Sequence, residues 1–261
     1  MEVVVVPSPA AGARLVADAV AELVRIVPAA VLGVATGSSP EPVYEELARR
    51  SAADQLDLSG ISAFLLDEYL GLRADDPASY RQVIKWQVVS RLGLDERRVH
   101  SLDPMTTDPV RTCADYEASI AAAGGVDLQL LGIGTDGHIG FNEPGSSLGS
   151  RTRIKTLTDQ TRSDNARFFD GDVEAVPRHV LTQGVGTIFE ARHLVLLAWG
   201  ETKAEAIARC VEGPITASVP ATALQLHPRA TILVDPPAAA RLARRADYER
   251  AFALKPPWQS L

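Results

Sequence analysis

Three side chains able to carry protons, Asp136, His138 and Glu143, fall within eight residues in "LLGIGTDGHIGFNEP" (130–144), spaced by glycines and closed by a proline. An imidazole beside two carboxylates can hold a proton near neutral pH and hand it to an oxygen. Glycines at such a point let backbone and side chains approach a ligand closely. A lone histidine is more often structural than catalytic. A DGH pair would supply part of a metal site, yet no HExxH or Cys/His cluster accompanies it, so no metal is expected. The concentration of glycine, Asp, His and Glu after one apolar run favours catalysis.

Three further groups follow apolar runs in the same way. "TGSSP" (36–40) after "VLGVA" is a Gly/Ser turn entering a helix. The N–H groups of Gly37, Ser38 and Ser39, with the helix dipole, suit a phosphate. The competing reading is a helix cap by Ser38 or Ser39 with Pro40 in the first turn. Neither GxxxxGK[ST] nor GxGxxG is present there. "DEYLGL" after "SAFLL" sets Asp67 and Glu68 side by side, either as a general base or as a capping pair before a helix. "ETKAEAI" after "VLLAWG" puts Lys203 in a helix's first turn, against the dipole, which suggests an anion nearby or an ordinary surface lysine.

These groups need strands to position them. "VVVV", "AAVLGVA", "ISAFLLD", "DLQLLGIG", "HLVLLAW" and "ATILVD" are short apolar runs that alternate with helical patterns. Runs so continuously apolar are covered on both faces, and intervening helices indicate parallel βαβ units. The expectation is a doubly wound, mainly parallel α/β sheet with helices on both faces, Rossmann-like, whose ligands bind beyond the C-terminal strand ends. No linker or repeat divides the chain, so residues 1–261 read as one domain. The polar segment 146–178 carries no clear strand and reads as a lid or functional excursion. The tail "LKPPWQSL" is either docked or loose.

The chain's 261 residues are enough for a large core. Its 46% hydrophobic and 23% charged residues are ordinary for a soluble protein. A net charge of −7 argues against nucleic-acid binding and weakly against an anionic membrane. No apolar run approaches a membrane span, and the N-terminus lacks the basic region of a signal peptide. Cys113 and Cys210 stand far apart, without CxxC spacing, and read as reduced thiols of a cytoplasmic protein.

The stretches "LDEYLGL", "GIGTDGHIGFNEPGSSLGSRTRIKTL", "ARFFD" and "LQLHP" resemble the isomerising glucosamine-6-phosphate deaminases, and the resemblance runs through nearly the whole chain. It implies conversion of glucosamine 6-phosphate and water to fructose 6-phosphate and ammonia, without a metal or redox cofactor. By motif, Asp67 corresponds to the base that moves a proton between C2 and C1. His138 corresponds to the residue that opens the sugar ring, and Asp136 and Glu143 to the carboxylates that orient it. The phosphate would sit on Gly37, Ser38, Ser39, Arg167 and Lys203, and segment 146–178 would be the lid over the sugar. Where the family's phosphate loop often reads Gly-Gly-Thr, this chain has Gly37-Ser38-Ser39, which keeps the N–H groups and a hydroxyl.

The rival readings are a 6-phosphogluconolactonase, whose DGH continues toward Ser-Leu-Phe-Pro rather than "IGFNEP", and a non-enzymatic sugar-phosphate sensor, which would carry a helix-turn-helix. Some members of the deaminase family are hexamers activated by N-acetylglucosamine 6-phosphate. Their effector site draws on residues matching Ser146, Arg153 and Lys155, and on a C-terminal tyrosine. Here Tyr248 falls one position early and Glu249 takes that place. One position turns a helical side chain by about 100°. The resemblance therefore implies a homo-oligomer with weak or absent activation.

Overall fold

Six of the apolar runs become strands β1 (Glu2–Val5), β2 (Val31–Val34), β3 (Ser62–Leu65), β6 (Leu128–Leu131), β9 (Leu194–Ala198) and β10 (Ala230–Val234). The computed structural model describes residues 1–261 except Asp54, Ala74, Pro257 and Ser260. With β5 (Val99–His100) these strands form a seven-stranded sheet in the order β1-β10-β9-β6-β2-β3-β5, every pair parallel. Alternate side chains leave on opposite faces. Val3, Val31, Leu131, Leu196 and Ile232 enter one core, and Val4, Leu32, Leu130, Leu197 and Leu233 the other. Each such side chain contributes about 1.5–3 kcal/mol when fully buried.

The helices are α1 (Pro9–Ile26), α2 (Glu41–Ala52), α3 (Tyr80–Ile84), α4 (Ser90–Leu92), α5 (Pro109–Ala122), α6 (Asp159–Asn165), α7 (Val185–Phe189), α8 (Ala204–Glu212) and α9 (Arg245–Ala253). Helices α1 and α2 cover one face of the sheet, and α5, α7 and α8 cover the other. Side-chain caps start several of them: Ser8 accepts from Ala11 N–H at 3.3 Å and Asp108 from Arg111 N–H at 3.0 Å. Among the described residues no helix is long and apolar enough to cross a membrane. The tail is docked, with Lys255 Nζ 2.8 Å from Glu2 and the Leu261 carbonyl accepting from Arg229 at 2.6 Å. Its Pro257 and Ser260 lie outside the described residues.

The chain leaves β2 toward β3 and leaves β6 toward β9, in opposite directions across the sheet. Between the C-terminal ends of β2 and β6 lies the crevice where doubly wound sheets bind ligands. "TGSS" follows β2 and "GIGTDGH" follows β6, so the fold delivers both to one place.

Two expectations need correction. Asp67 does not end a parallel strand. Strand β3 stops at Leu65, and Asp67 opens β4 (Asp67–Tyr69), part of a second, antiparallel three-stranded sheet in which it pairs with residues of His179–Thr182. The excursion 146–178 also contains a strand, β7 (Arg153–Thr156), paired with β8 (His179–Thr182). Its residues alternate between half-buried and exposed, so "RIKT" carries no apolar signature. A small core of Tyr69, Phe141, Leu157, Ala166, Val176 and Val180 joins this sheet to the 3-10 turn after α6. Arg162, only 3% exposed, donates to the Val173 and Val176 carbonyls and ties down the loop after α6.

Candidate active site

The loop after β6 folds on itself: Gly134 N–H donates to the His138 carbonyl at 2.9 Å, and Gly137 N–H to the Gly134 carbonyl at 3.0 Å. Gly137 needs its glycine, having φ +91°, and a Cβ on Gly134 would overlap the His138 ring. His138 Nδ1 lies 2.8 Å from Asp136 Oδ1, a close contact without hydrogen-bond geometry. Asp136 Oδ1 also accepts from His138 N–H at 3.1 Å. Burial pushes the Asp136 carboxyl up, but the His138 contacts outweigh it and hold the group at about 2. Glu143, 2% exposed, accepts from the backbone and hydroxyl of Thr158 at 3.3–3.4 Å. Asp136, His138 and Glu143 offer ligand atoms within 4.8 Å of one another, a grouping that would also admit a small cation.

The adjacent acids Asp67 and Glu68 divide the two roles that sequence left open. The Glu68 carboxylate, fully buried, accepts from the N–H groups of Tyr69, Tyr80 and Arg81 and from the Ser79 hydroxyl at 2.8–3.0 Å. It caps α3. Asp67 is 6% exposed, and no hydrogen bond joins its carboxylate to another described residue. Burial first, then the neighbouring Glu68 charge, raise the Asp67 carboxyl well above its ordinary value. Asp67 Oδ2 lies 3.5 Å from the place a Cβ on Gly140 would take, so it reaches the loop that carries His138. A buried, unbonded carboxyl is a poor structural element and a good proton acceptor once ionised.

On the other side of the crevice, Gly37 has φ +98°. Neither Ser38 nor Ser39 caps α2, whose N-cap is Pro40 without a side-chain bond. The turn is held from β9 instead: Trp199 Nε1 donates to the Ser39 carbonyl at 2.9 Å. Ser39 Cβ is 3.9 Å from the position of a Gly132 Cβ, and Lys203 Nζ donates to the next carbonyl, Ile133, at 2.7 Å. Lys203 sits at the N-cap of α8, after a short 3-10 turn (Glu201–Lys203). Burial and then the nearby charge of Arg167 push its ammonium below the ordinary value, opposed by Asp164 and Asp136. Arg167 and Lys203 thus lie near one another, with Lys203 bonded to the loop that meets the Ser39 turn, a pairing of charges suited to an anion.

Of the three residues matched to an effector site, Arg153 and Lys155 share one face of β7. Arg153 Nη1 donates to Asn142 Oδ1 at 2.9 Å, and Ser146 Oγ is buried without a hydrogen-bond partner among the described residues. Tyr248 instead gives its hydroxyl to Glu212 at 3.1 Å, and Glu249 pairs with Arg245 at 2.8 Å. Sequence reasoning missed Thr158, the partner of Glu143, and Trp199, the anchor of the Ser39 turn. The indole lies in the quoted "HLVLLAW", but only the pairing of β9 in the sheet shows what it reaches.

A doubly wound sheet with the buried Asp67 carboxyl and the Asp136, His138 and Glu143 grouping gathered at its switch point has the layout of an α/β enzyme. A family model described as glucosamine-6-phosphate isomerases/6-phosphogluconolactonase matches residues 8–233, and the chain belongs to this family. Glucosamine-6-phosphate deaminases from Streptomyces avermitilis and Streptomyces coelicolor are 58% and 57% identical to it, over 100% of both chains. The solved structure of a monomeric glucosamine-6-phosphate deaminase, 38% identical, covers 92% of this chain and 100% of its own, with a TM-score of 0.89. A 6-phosphogluconolactonase from Leishmania guyanensis, 21% identical, shares the fold with a TM-score of 0.72 over 91% of this chain and 97% of its own.

Proposed function

We propose that the chain converts glucosamine 6-phosphate and water to fructose 6-phosphate and ammonia, as a single unit spanning residues 1–261 with segment 146–178 as its lid. One observation carries the reading: a buried carboxylate, Asp67, with no hydrogen bond to another described residue, set against the loop that gathers His138 with Asp136 and Glu143.

His138, oriented by the two carboxylates, moves the proton between the ring oxygen and the C1 hydroxyl as the pyranose opens to the aldehyde. Asp67, ionised, takes the C2 proton and returns it to C1. The resulting C2 imine adds water and expels ammonia, leaving the ketone. The phosphate, held by Gly37, Ser38, Ser39, Arg167 and Lys203, anchors the end of the sugar remote from C2. Its binding energy positions C2 against Asp67. Thr158 on the lid covers Glu143, which supports exclusion of water during proton transfer.

The two cysteines, both buried and unpaired, suit a reducing cytoplasm. A homo-oligomer remains part of the proposal, and the exposed Trp86, Val110 and Leu254 are apolar side chains that such an assembly would cover. Sedimentation velocity measures it. Turnover in D2O tests the chemistry: fructose 6-phosphate should appear with one equivalent of ammonia, and any solvent deuterium it gains should sit at C1, to the extent that the proton held on Asp67 exchanges before it is returned. Product formation without ammonia would refute the reading.

A further inference from the structure

The phosphate site described above draws on three separate segments: the turn after β2, Lys203 before α8 and the lid residue Arg167. The first and the last of these meet one pair of tyrosines. Tyr69, fully buried, accepts at its hydroxyl from Asn165 Nδ2 at 2.9 Å and from the Tyr80 hydroxyl at 3.4 Å. The side chain of Thr36, the residue before Gly37 of the phosphate turn, lies beside the Tyr80 hydroxyl. Asn165 is the last residue of α6, and Arg167 lies two residues on, in the 3-10 turn Ala166–Phe168. A line of hydroxyls therefore runs from the phosphate turn through Tyr80 and Tyr69 to the foot of the lid.

The pair is unusually well fixed. A single oxygen, Glu68 Oε1, accepts from the backbone N–H of both Tyr69 and Tyr80, at 2.8 and 3.0 Å. Their rings pack at 4.9 Å between centroids, with Phe141 5.6 Å and Phe169 5.5 Å from Tyr69. Packing alone would be served equally by phenylalanine at both positions. The hydroxyls, and the amide that meets them, call for another reason.

We propose that Tyr69 and Tyr80 are positioning residues that set lid residue Arg167 in register with the phosphate turn, Tyr69 bonding Asn165 on one side and Tyr80 meeting Thr36 on the other. The proposal rests on the assignment of the phosphate to Arg167 and the 37–39 turn. Neither tyrosine touches the phosphate; each acts through the segment it holds. Lid seating and anion binding then stabilise each other, since an anion drawing in Arg167 favours the Asn165–Tyr69 bond.

The test is calorimetric binding of inorganic phosphate to the full chain. Tyr69→Phe keeps every ring contact and removes only the hydroxyl. Asn165→Leu removes the amide. Each should weaken phosphate binding about fivefold, the scale of one neutral hydrogen bond. The double variant should be no weaker than Tyr69→Phe alone, and Asn165→Leu should cost nothing further on an Arg167→Ala background. Unchanged affinity in either single variant overturns the proposal. So does an undiminished Asn165→Leu effect when Arg167 is absent, or a wild-type protein that does not bind phosphate. Ammonia release is scored separately. Release of ammonia with unaltered phosphate affinities rejects the tyrosine coupling and leaves the deaminase reading. The coupled affinities without ammonia do the reverse.

Discussion

Replacing Asp67 by Asn keeps the shape of the side chain and removes its charge, so the account requires opposite effects on turnover and stability. The carboxylate is nearly inaccessible, has no hydrogen bond to another described residue, and stands beside Glu68. As the C2 base it should be worth about two to four orders of magnitude in kcat, or about 2.7–5.4 kcal/mol of transition-state stabilisation. Its burial as an anion also works against folding. The folded carboxyl titrates above the unfolded one, so its contribution is fully present below the unfolded value of about 4 and is lost as pH rises through the folded value. Asp67→Asn should match wild type in stability below about pH 4 and exceed it at neutral pH by about 1 kcal/mol or more. That corresponds to a rise in Tm of about 2–4 °C per kcal/mol. Steady-state ammonia release and thermal unfolding at several pH values read out the two halves. Near-normal turnover in Asp67→Asn would remove Asp67 as the base. A Tm below wild type at neutral pH would show that the buried carboxylate has a partner this account lacks.

Further outcomes follow from the same geometry. Arg167→Ala and Lys203→Ala should each raise KM for glucosamine 6-phosphate by about 10-fold or more, the scale of a lost charge-assisted bond; an unchanged KM removes that residue from the phosphate site. Gly134→Ala puts a methyl group into the His138 ring, so kcat should fall by at least about 10-fold while circular dichroism is retained. N-acetylglucosamine 6-phosphate should shift half-saturation little, because Tyr248 is bonded to Glu212 and Glu249 to Arg245; a large drop would show the tail rearranging. Turnover should survive exhaustive chelation, since side chains, substrate and water suffice for every proposed step.

The sheet was legible because strands buried on both faces are written as unbroken apolar runs: "VLLA", "TILV" and "LQLL" admit few other readings. The small second sheet was not. Strands β4 and β7 are three and four residues long and mix acids or bases with apolar residues. Only their pairing with β8, across long loops, makes them strands. At the site, local sequence placed Asp136, His138 and Glu143 together, since one loop carries all three. It could not separate Asp67 from Glu68, because the groups that claim Glu68 lie at Ser79, Tyr80 and Arg81, beyond an intervening turn. Likewise Ser38 and Ser39 look like caps until Trp199, far along the chain, is seen holding the turn away from that role. Contacts at long separation have no local signature, and the hydroxyl line through Tyr69 and Tyr80 is of that kind.

The central claim is that this crevice removes an amine by proton transfer at C2 rather than hydrolysing an ester. It is tested most directly by one assay with three substrates: glucosamine 6-phosphate, galactosamine 6-phosphate and 6-phosphogluconolactone. The account predicts ammonia and fructose 6-phosphate in equal amounts from glucosamine 6-phosphate, and no enzyme-dependent opening of the lactone. Ammonia from the galactose epimer alone would move the substrate and keep the mechanism. Rapid lactone hydrolysis with no ammonia from either aminosugar would contradict the account outright.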